Sequence, residues 1–159
     1  YNIPGRTSTL IELETLQTLV DDIGIHSIKD AVGDFEFSKK QLELLKDKAD
    51  IYSGNDNQTY DFVTNGGVGV VSVASHVVGD EISKMISFAK DNDLEKAEEI
   101  NMQLSNLFEA IFEEPSPGPI KKILSESWEE VGEPLLPITS ITPELANKIR
   151  GFYKKIKEN

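Results

Sequence analysis

Apolar and polar positions follow helical spacing in several parts of the first half of the chain. Within residues 10–21, apolar side chains recur every three or four positions, which predicts an amphipathic helix. Similar spacing predicts a helix that begins with Ser38 as N-cap and runs to about Lys48, and a short helix over residues 57–65. Before the first helix, the stretch "IPGR" (3–6) fits a type II turn, with proline second and glycine third.

Between these segments lie three runs that are apolar on both faces, at residues 23–29, 50–54 and 67–75. Residues 1–3 have the character of the end of another strand. Strands that are apolar on both faces and alternate with helices are typical of a parallel sheet covered by helices. The first part of the chain is therefore predicted to be α/β.

From about Asp80 onward the pattern is helical. Helices are predicted over residues 80–90, 93–113, 118–131 and 143–157, with proline-rich connections at 113–119 and 132–140. The chain thus divides into an α/β region (1–92) and a helical region (93–159). Because a complete (β/α)8 barrel needs about 250 residues, the α/β region holds about three βα units and a strand end. It fits a small open sheet or the C-terminal part of a barrel.

Composition narrows the class of function. The net charge of −12 would repel nucleic acid and anionic membranes, so neither is expected as a partner. The chain has no cysteine, and its two histidines match no zinc spacing, so no metal or thiolate chemistry is expected. No apolar run approaches the roughly 18 residues of a membrane span, and no signal peptide is seen, so we expect a soluble, cytoplasmic protein.

Lys29 is the most unusual polar residue of the α/β region. It ends the apolar run "IGIHSIK" (23–29), and in a parallel sheet the C-terminal ends of the strands carry the active site. An amine held in apolar surroundings loses its proton more easily and can then attack a ketone to form a Schiff base. The alternative is a lysine whose stem lies along the apolar surface while its ammonium reaches water.

Two further candidates precede Lys29. Arg6 follows the Pro4-Gly5 turn, where a guanidinium suits a carboxylate, although an ordinary exposed arginine is the alternative. Tyr1 lies at the strand end and could relay a proton, or could serve only in packing.

Two loops contain glycine. "SGNDN" (53–57) follows a strand and opens a helix, so Asn55 and Asp56 either face the catalytic end of the sheet or simply cap the helix. "NGGVGV" (65–70) ends a helix and precedes a strand, which is the reverse of a phosphate-binding loop, so it is interpreted as a turn.

Taken together, "YNIPGRT", "IKDAVGD", "YSGND" and "GGVGVVSV" resemble, in this order, the dihydrodipicolinate synthase family, which includes N-acetylneuraminate lyase and other pyruvate-type class I aldolases. The resemblance covers the whole chain, including its helical tail. It implies the C-terminal half of a (β/α)8 TIM barrel at 1–92 followed by an α-helical extension at 93–159. It also implies a homotetramer.

The resemblance implies roles for seven residues. Lys29 would form the Schiff base with pyruvate, Tyr1 would relay a proton, and Arg6 would bind the carboxylate of aspartate semialdehyde. Gly54 and Val71 would line the pyruvate pocket, while Asn55 and Asp56 lie where the family contacts the aldehyde. The reaction would be condensation to 4-hydroxy-tetrahydrodipicolinate, in the diaminopimelate route of lysine biosynthesis, by a lyase that needs no cofactor.

The chain departs from the family pattern at two places. Asp30 stands where the family usually has glutamate. The chain also begins at the Tyr1 strand, so the family's upstream half of the barrel is not in it, and we expect little or no activity from the chain alone. The alternatives are another pyruvate-type aldolase, such as N-acetylneuraminate or a keto-sugar-acid lyase, and a non-catalytic fragment.

Overall fold

A computed structural model describes residues 1–158 of the chain, which is α/β. Two compact units can be distinguished: Tyr1–Ser72 with Ile86–Leu94, and Val73–Met85 with the segment from Glu95 onward. The helices are α1 (Pro4–Thr7), α2 (Leu13–Asp21), α3 (Phe35–Leu44), α4 (Thr59–Thr64), α5 (Ser75–Lys90), α6 (Leu94–Ala110), α7 (Gly118–Ser127) and α8 (Pro143–Glu158). The strands are β1 (Ser27–Asp30), β2 (Asp50–Ser53) and β3 (Gly69–Val70), and a 3-10 turn spans Asp56–Gln58.

The strands of the first unit form a parallel sheet in the order β1-β2-β3. Lys29 is opposite Tyr52 in the register of the sheet, and Tyr52 is opposite Gly69. On the other side of β1, Asn2 forms a parallel bridge with Asp30. Because all these segments run in one direction, their C-terminal ends meet at one edge of the sheet.

The core of this unit is built by side chains from the helices and from the face of the sheet that carries Ile28 and Ile51. Phe62 and Leu45 are fully buried, and the Phe35 and Phe62 rings lie 5.9 Å apart. The buried members of the cluster are Leu16, Val20, Ile28, Leu42, Leu45, Ile51 and Phe62. The core therefore fixes β1 and β2 from one side, and the face that carries Lys29 points the other way.

One buried carboxyl joins β1 to α3. Asp30 is 1% exposed, and its two oxygens accept hydrogen bonds from the Val32 N–H (2.8 Å) and the Ser38 hydroxyl (2.9 Å). Burial raises the pKa of Asp30, and the two hydrogen bonds offset part of that rise. The same hydroxyl lies within hydrogen-bonding distance of the Asp34 carbonyl, so Ser38 lies inside the helix rather than at its start.

Several predicted boundaries were wrong. Ser38 is not an N-cap; Asp34 is, and its carboxylate accepts from the backbone N–H groups of Glu36 and Phe37. Residues 3–6 do not form a type II turn, because proline at the first position starts the helical turn α1. The run at 23–29 is a strand only from Ser27 onward, in β1, which continues to Asp30. The run at 67–75 is a strand only at Gly69–Val70, which pair with two of the four residues of β2.

The second unit is helical, as predicted from residue 93 onward, although the helix predicted over 118–131 ends at Ser127. Helices α7 and α8 pack together, and the guanidinium of Arg150 makes two hydrogen bonds to the carboxylate of Glu126 (2.9 and 2.7 Å). This pairing lowers the pKa of Glu126. Within residues 1–158, no helix is long and apolar enough to cross a membrane.

The buried carboxyl of Asp30 predicts a specific dependence of stability on pH. The pKa of Asp30 is higher in the folded chain than in the unfolded chain. Its contribution to the free energy of unfolding is therefore fully present below the unfolded pKa of 3.8 and is lost as pH rises through the folded pKa. The free energy of unfolding of the unaltered chain, minus that of Asp30→Asn, should therefore fall as pH rises from below 3.8. Urea unfolding at a series of pH values measures this difference.

Ser38→Ala provides the matched comparison. Without the hydroxyl, the ionised form of Asp30 loses a hydrogen-bond donor, so the pH-dependent loss of stability should be larger than in the unaltered chain. If the unaltered chain and Asp30→Asn gave parallel curves, the raised pKa of Asp30 would be excluded.

Candidate active site

The candidate site lies at the C-terminal edge of the parallel sheet. Lys29 is the third of the four residues of β1, and it points to the face opposite the core because its neighbours Ile28 and Asp30 are buried. Its Nζ lies 4.2 Å from the centroid of the Tyr1 ring. That distance is within the range of a cation–π contact. The structure thus brings together two of the predicted catalytic residues.

Tyr1 is placed by the residue that follows it. The Asn2 N–H donates to the Lys29 carbonyl (3.0 Å), and the Ala31 N–H donates to the Asn2 carbonyl (2.9 Å). Tyr1 is therefore one peptide bond from a segment paired with β1, and its side chain is 61% exposed. The exposed Tyr1 ring therefore lies beside the Lys29 amine.

Gly54 borders Lys29 on the other side. It follows β2, and its N–H donates to the Asp30 carbonyl (2.5 Å). A Cβ at this position would lie 3.0 Å from Lys29 Cε, 2.9 Å from the Asp30 carbonyl oxygen and 2.7 Å from Ala31 Cβ. The absence of a side chain at Gly54 therefore leaves the space that the stem of Lys29 occupies.

Asn55 and Asp56 begin the 3-10 turn next to this edge, but their side chains are engaged with the protein. Asn55 occupies the N-cap position of the turn, although its side chain caps no backbone N–H and instead donates to Gln58 Oε1 (2.9 Å). Asp56 is 1% exposed and accepts a hydrogen bond from the Ser72 hydroxyl. Asp56 thus joins the turn to the segment just after β3.

Val71 and Arg6 complete the predicted set. Val71 continues the ladder beyond β3 by donating its N–H to the Ser53 carbonyl (2.9 Å), and its side chain is 49% exposed. Strand alternation gives it the same face as Gly69, whose register partner Tyr52 is in turn opposite Lys29. Arg6 lies in α1, and its side chain is exposed.

Sequence reasoning missed two residues of this edge. Tyr52 is half-buried and shares the face of Lys29, and Asn2, which follows Tyr1, is 1% exposed. A period of two along "DIYS" could have indicated Tyr52. Asn2 could have been identified as a polar residue at a strand end, since a buried polar side chain needs a hydrogen-bond partner. No group of three or more acidic or histidine side chains in the part of the chain that the structure describes could hold a metal ion.

The close approach at Gly54 predicts the effect of adding one methyl group. Gly54→Ala should displace the Lys29 stem and destabilise the chain by about 1–3 kcal/mol, because the new Cβ overlaps occupied space. The ε-methylene protons of Lys29, which lie near the Tyr1 ring, should lose part of their ring-current shift in an NMR spectrum. Gly5→Ala is the control, since a Cβ at Gly5 meets nothing within 4 Å. An unchanged Lys29 shift in Gly54→Ala would contradict this arrangement.

Comparison with solved structures shows a match along almost the whole chain. DHDPS from Cyanidioschyzon merolae, solved with lysine bound, superposes with a TM-score of 0.93 at 35% identity, covering 99% of this chain and 53% of that one. The 4-hydroxy-tetrahydrodipicolinate synthase of Methylacidiphilum fumariolicum SolV gives a TM-score of 0.94 at 30% identity, with coverage of 99% and 53%.

Curated relatives give the same result in sequence. The 4-hydroxy-tetrahydrodipicolinate synthase of Microcystis aeruginosa is 43% identical over 156 residues, which is 98% of this chain and 52% of that protein. A Listeria monocytogenes protein of the same name is 34% identical over 158 residues, 99% of this chain and 54% of that protein. The chain therefore spans about half the length of these relatives. The model of the dihydrodipicolinate synthetase family matches residues 1–156, and the chain belongs to that family.

Proposed function

We propose that this chain forms the C-terminal half of a (β/α)8 barrel and that the complete protein condenses pyruvate with aspartate semialdehyde. The product would be 4-hydroxy-tetrahydrodipicolinate, in lysine biosynthesis through diaminopimelate. The observation that carries the proposal is the position of the Lys29 amine, 4.2 Å from the centroid of the Tyr1 ring and bordered by a glycine. Membership of the family supports the same reaction.

Lys29 supplies the nucleophile. Its neutral amine adds to the ketone carbon of pyruvate, and loss of water gives an iminium ion. The iminium draws electrons from the pyruvate methyl group, a proton leaves C3, and the resulting enamine attacks the aldehyde carbon, whose oxygen takes up a proton. The amino group of aspartate semialdehyde then adds to the re-formed iminium carbon and expels the Lys29 amine, which closes the ring and frees the enzyme. Tyr1 relays protons in these steps, since its phenol can both donate and accept. The positive charge of the iminium stabilises the developing carbanion, so these steps require no metal.

The other residues bind substrate. Arg6 takes the carboxylate of aspartate semialdehyde through two N–H groups, which fits its exposed position in α1. Gly54 and Val71 line the pyruvate pocket, and Asn55 and Asp56 face the aldehyde. Asp56 is the weaker candidate for direct contact, because it is buried and bonded to Ser72. The complete protein is proposed to be a homotetramer that acts in the cytoplasm.

Trapping of the iminium tests the proposal directly. Pyruvate followed by borohydride should leave a reduced adduct on Lys29 of the complete protein, located by mass spectrometry of its peptides. Lys29→Arg should give no adduct there, because a guanidinium is not a nucleophile at neutral pH. Lys39, an exposed lysine paired with Glu36, is the internal control and should stay unmodified. Absence of the Lys29 adduct in the complete protein would rule out the assignment of the nucleophile.

Arg6→Ala separates the proposed reaction from that of another pyruvate-type aldolase. Loss of a charged hydrogen-bonding partner should raise the KM for aspartate semialdehyde by roughly tenfold to a hundredfold and leave adduct formation with pyruvate little changed. Lys40→Ala removes another exposed cation from the same unit and should change neither. If Arg6→Ala and the unaltered protein had the same KM for aspartate semialdehyde, the reaction of another pyruvate-type aldolase would be favoured.

The isolated 159-residue chain should show little or no synthase turnover. Its sheet has β3 at one edge, and on the face that bears Lys29 the side chains of Lys29 and Tyr52 are only half-buried and Val71 is exposed, so chains should associate through these surfaces. Steady-state assays of the purified chain, beside a full-length relative at equal concentration, measure this. Turnover comparable to that of the relative would overturn this prediction.

A further inference from the structure

We propose that Asn2 is a positioning residue that holds the Arg6-bearing loop against the strand that carries Lys29. The loop is defined here as residues 3–10, and it contains α1. This inference rests on the proposed function, in which Arg6 binds the carboxylate of aspartate semialdehyde. It adds a residue that touches no substrate and whose side chain acts only through the position of Arg6.

Asn2 makes hydrogen bonds on both of its sides. Its backbone pairs with β1, through the Lys29 carbonyl at 3.0 Å and the Ala31 N–H at 2.9 Å. Its side chain pairs with the main chain of Ile11: Nδ2 donates to the Ile11 carbonyl (2.9 Å), and Oδ1 accepts from the Ile11 N–H (3.1 Å). One residue therefore connects β1 to the far end of the Arg6 loop.

The side-chain pair has the form of a bridge between two peptide groups. It needs a donor and an acceptor on the same planar group, which asparagine provides at this length. Aspartate would keep the acceptor but not the donor, and alanine would leave both groups of Ile11 without this partner. Asn2 is 1% exposed, so replacing these bonds with water would require the loop to open.

The loop has little else in the described structure to fix it. Helix α1 contains no buried residue, and the rest of the segment 3–10 is half-buried or exposed. Its own bonds are local, such as those from the N–H groups of Arg6 and Thr7 to the Ile3 carbonyl. Local bonds give the loop its shape but do not fix its position relative to β1. The Asn2–Ile11 pair closes the loop at its base and so determines where Arg6 is held.

A double-mutant cycle on the complete protein tests the proposal. Asn2→Ala should raise the KM for aspartate semialdehyde roughly tenfold, as expected for the loss of about two hydrogen bonds, while borohydride trapping with pyruvate changes little. The double variant Asn2→Ala/Arg6→Ala should be no worse than Arg6→Ala alone, because Asn2 acts through Arg6. Asn2→Asp should be at least as impaired as Asn2→Ala, because it replaces the donor with a carboxylate oxygen that faces the Ile11 carbonyl in a buried site.

A second measurement does not depend on catalysis. Trypsin cleaves after arginine, so release of the loop should increase the rate of cleavage between Arg6 and Thr7, followed by mass spectrometry of the peptides. Val20→Ala is the stability control: it removes buried apolar volume from α2 and leaves the Asn2 bonds in place. It should not selectively increase cleavage after Arg6.

The proposal is overturned if the KM effects of Asn2→Ala and Arg6→Ala multiply, if Asn2→Ala impairs pyruvate trapping as much as aldehyde use, or if cleavage after Arg6 stays unchanged. If the unaltered complete protein forms no adduct with pyruvate, the proposed function fails. Cleavage after Arg6 then decides by itself whether Asn2 anchors the loop.

Discussion

The hydrogen bonds along the two edges of β1 determine how this site is built. On one edge the strand pairs with Asn2, and on the other it pairs with β2, followed by the bond from the Gly54 N–H to the Asp30 carbonyl. Parallel pairing aligns the ends of neighbouring segments, so residues distant in sequence become neighbours through backbone hydrogen bonds alone, without a side-chain contact between them. Tyr1, Lys29 and Gly54 meet because of this alignment, and the core behind the sheet holds it in place.

The site combines an accessible amine with a confined stem. The stem of Lys29 passes beside Gly54, where a methyl group would not fit, while the amine lies at an exposed tyrosine ring. Such an arrangement limits the directions that the amine can take, and in the proposed function it leaves the amine open to pyruvate. Preorganisation of this kind reduces the entropy lost when reactants meet.

The sequence was sufficient to predict the α/β character, the parallel arrangement, the helical tail and the position of Lys29 at a strand end. Those features depend on spacing and on the chemistry of single residues. The lengths of β1 and β3 could not be predicted in this way, because strand length depends on how many residues pair with a neighbouring strand, and β3 pairs with only two of the four residues of β2. Ser38 was misplaced for a related reason: a hydroxyl that bonds a buried carboxyl eight residues earlier looks, in sequence, like a helix cap. Asn2 could not be predicted because its partner is the main chain of Ile11, and nothing in the sequence indicates that the main chain at that position forms hydrogen bonds with a side chain.

Lys29 and Asp30 are adjacent and carry opposite charges, yet they point to opposite faces of β1. A slip of the strand by one residue would exchange them, placing the ammonium group in the core against α3 and the carboxyl group at the open face. The hydroxyl of Ser38, which donates a hydrogen bond to the Asp30 carboxylate, would then meet a lysine stem. The order of these two residues therefore makes the observed register the one with the lower energy, and the buried carboxyl of Asp30 disfavours the shifted alignment.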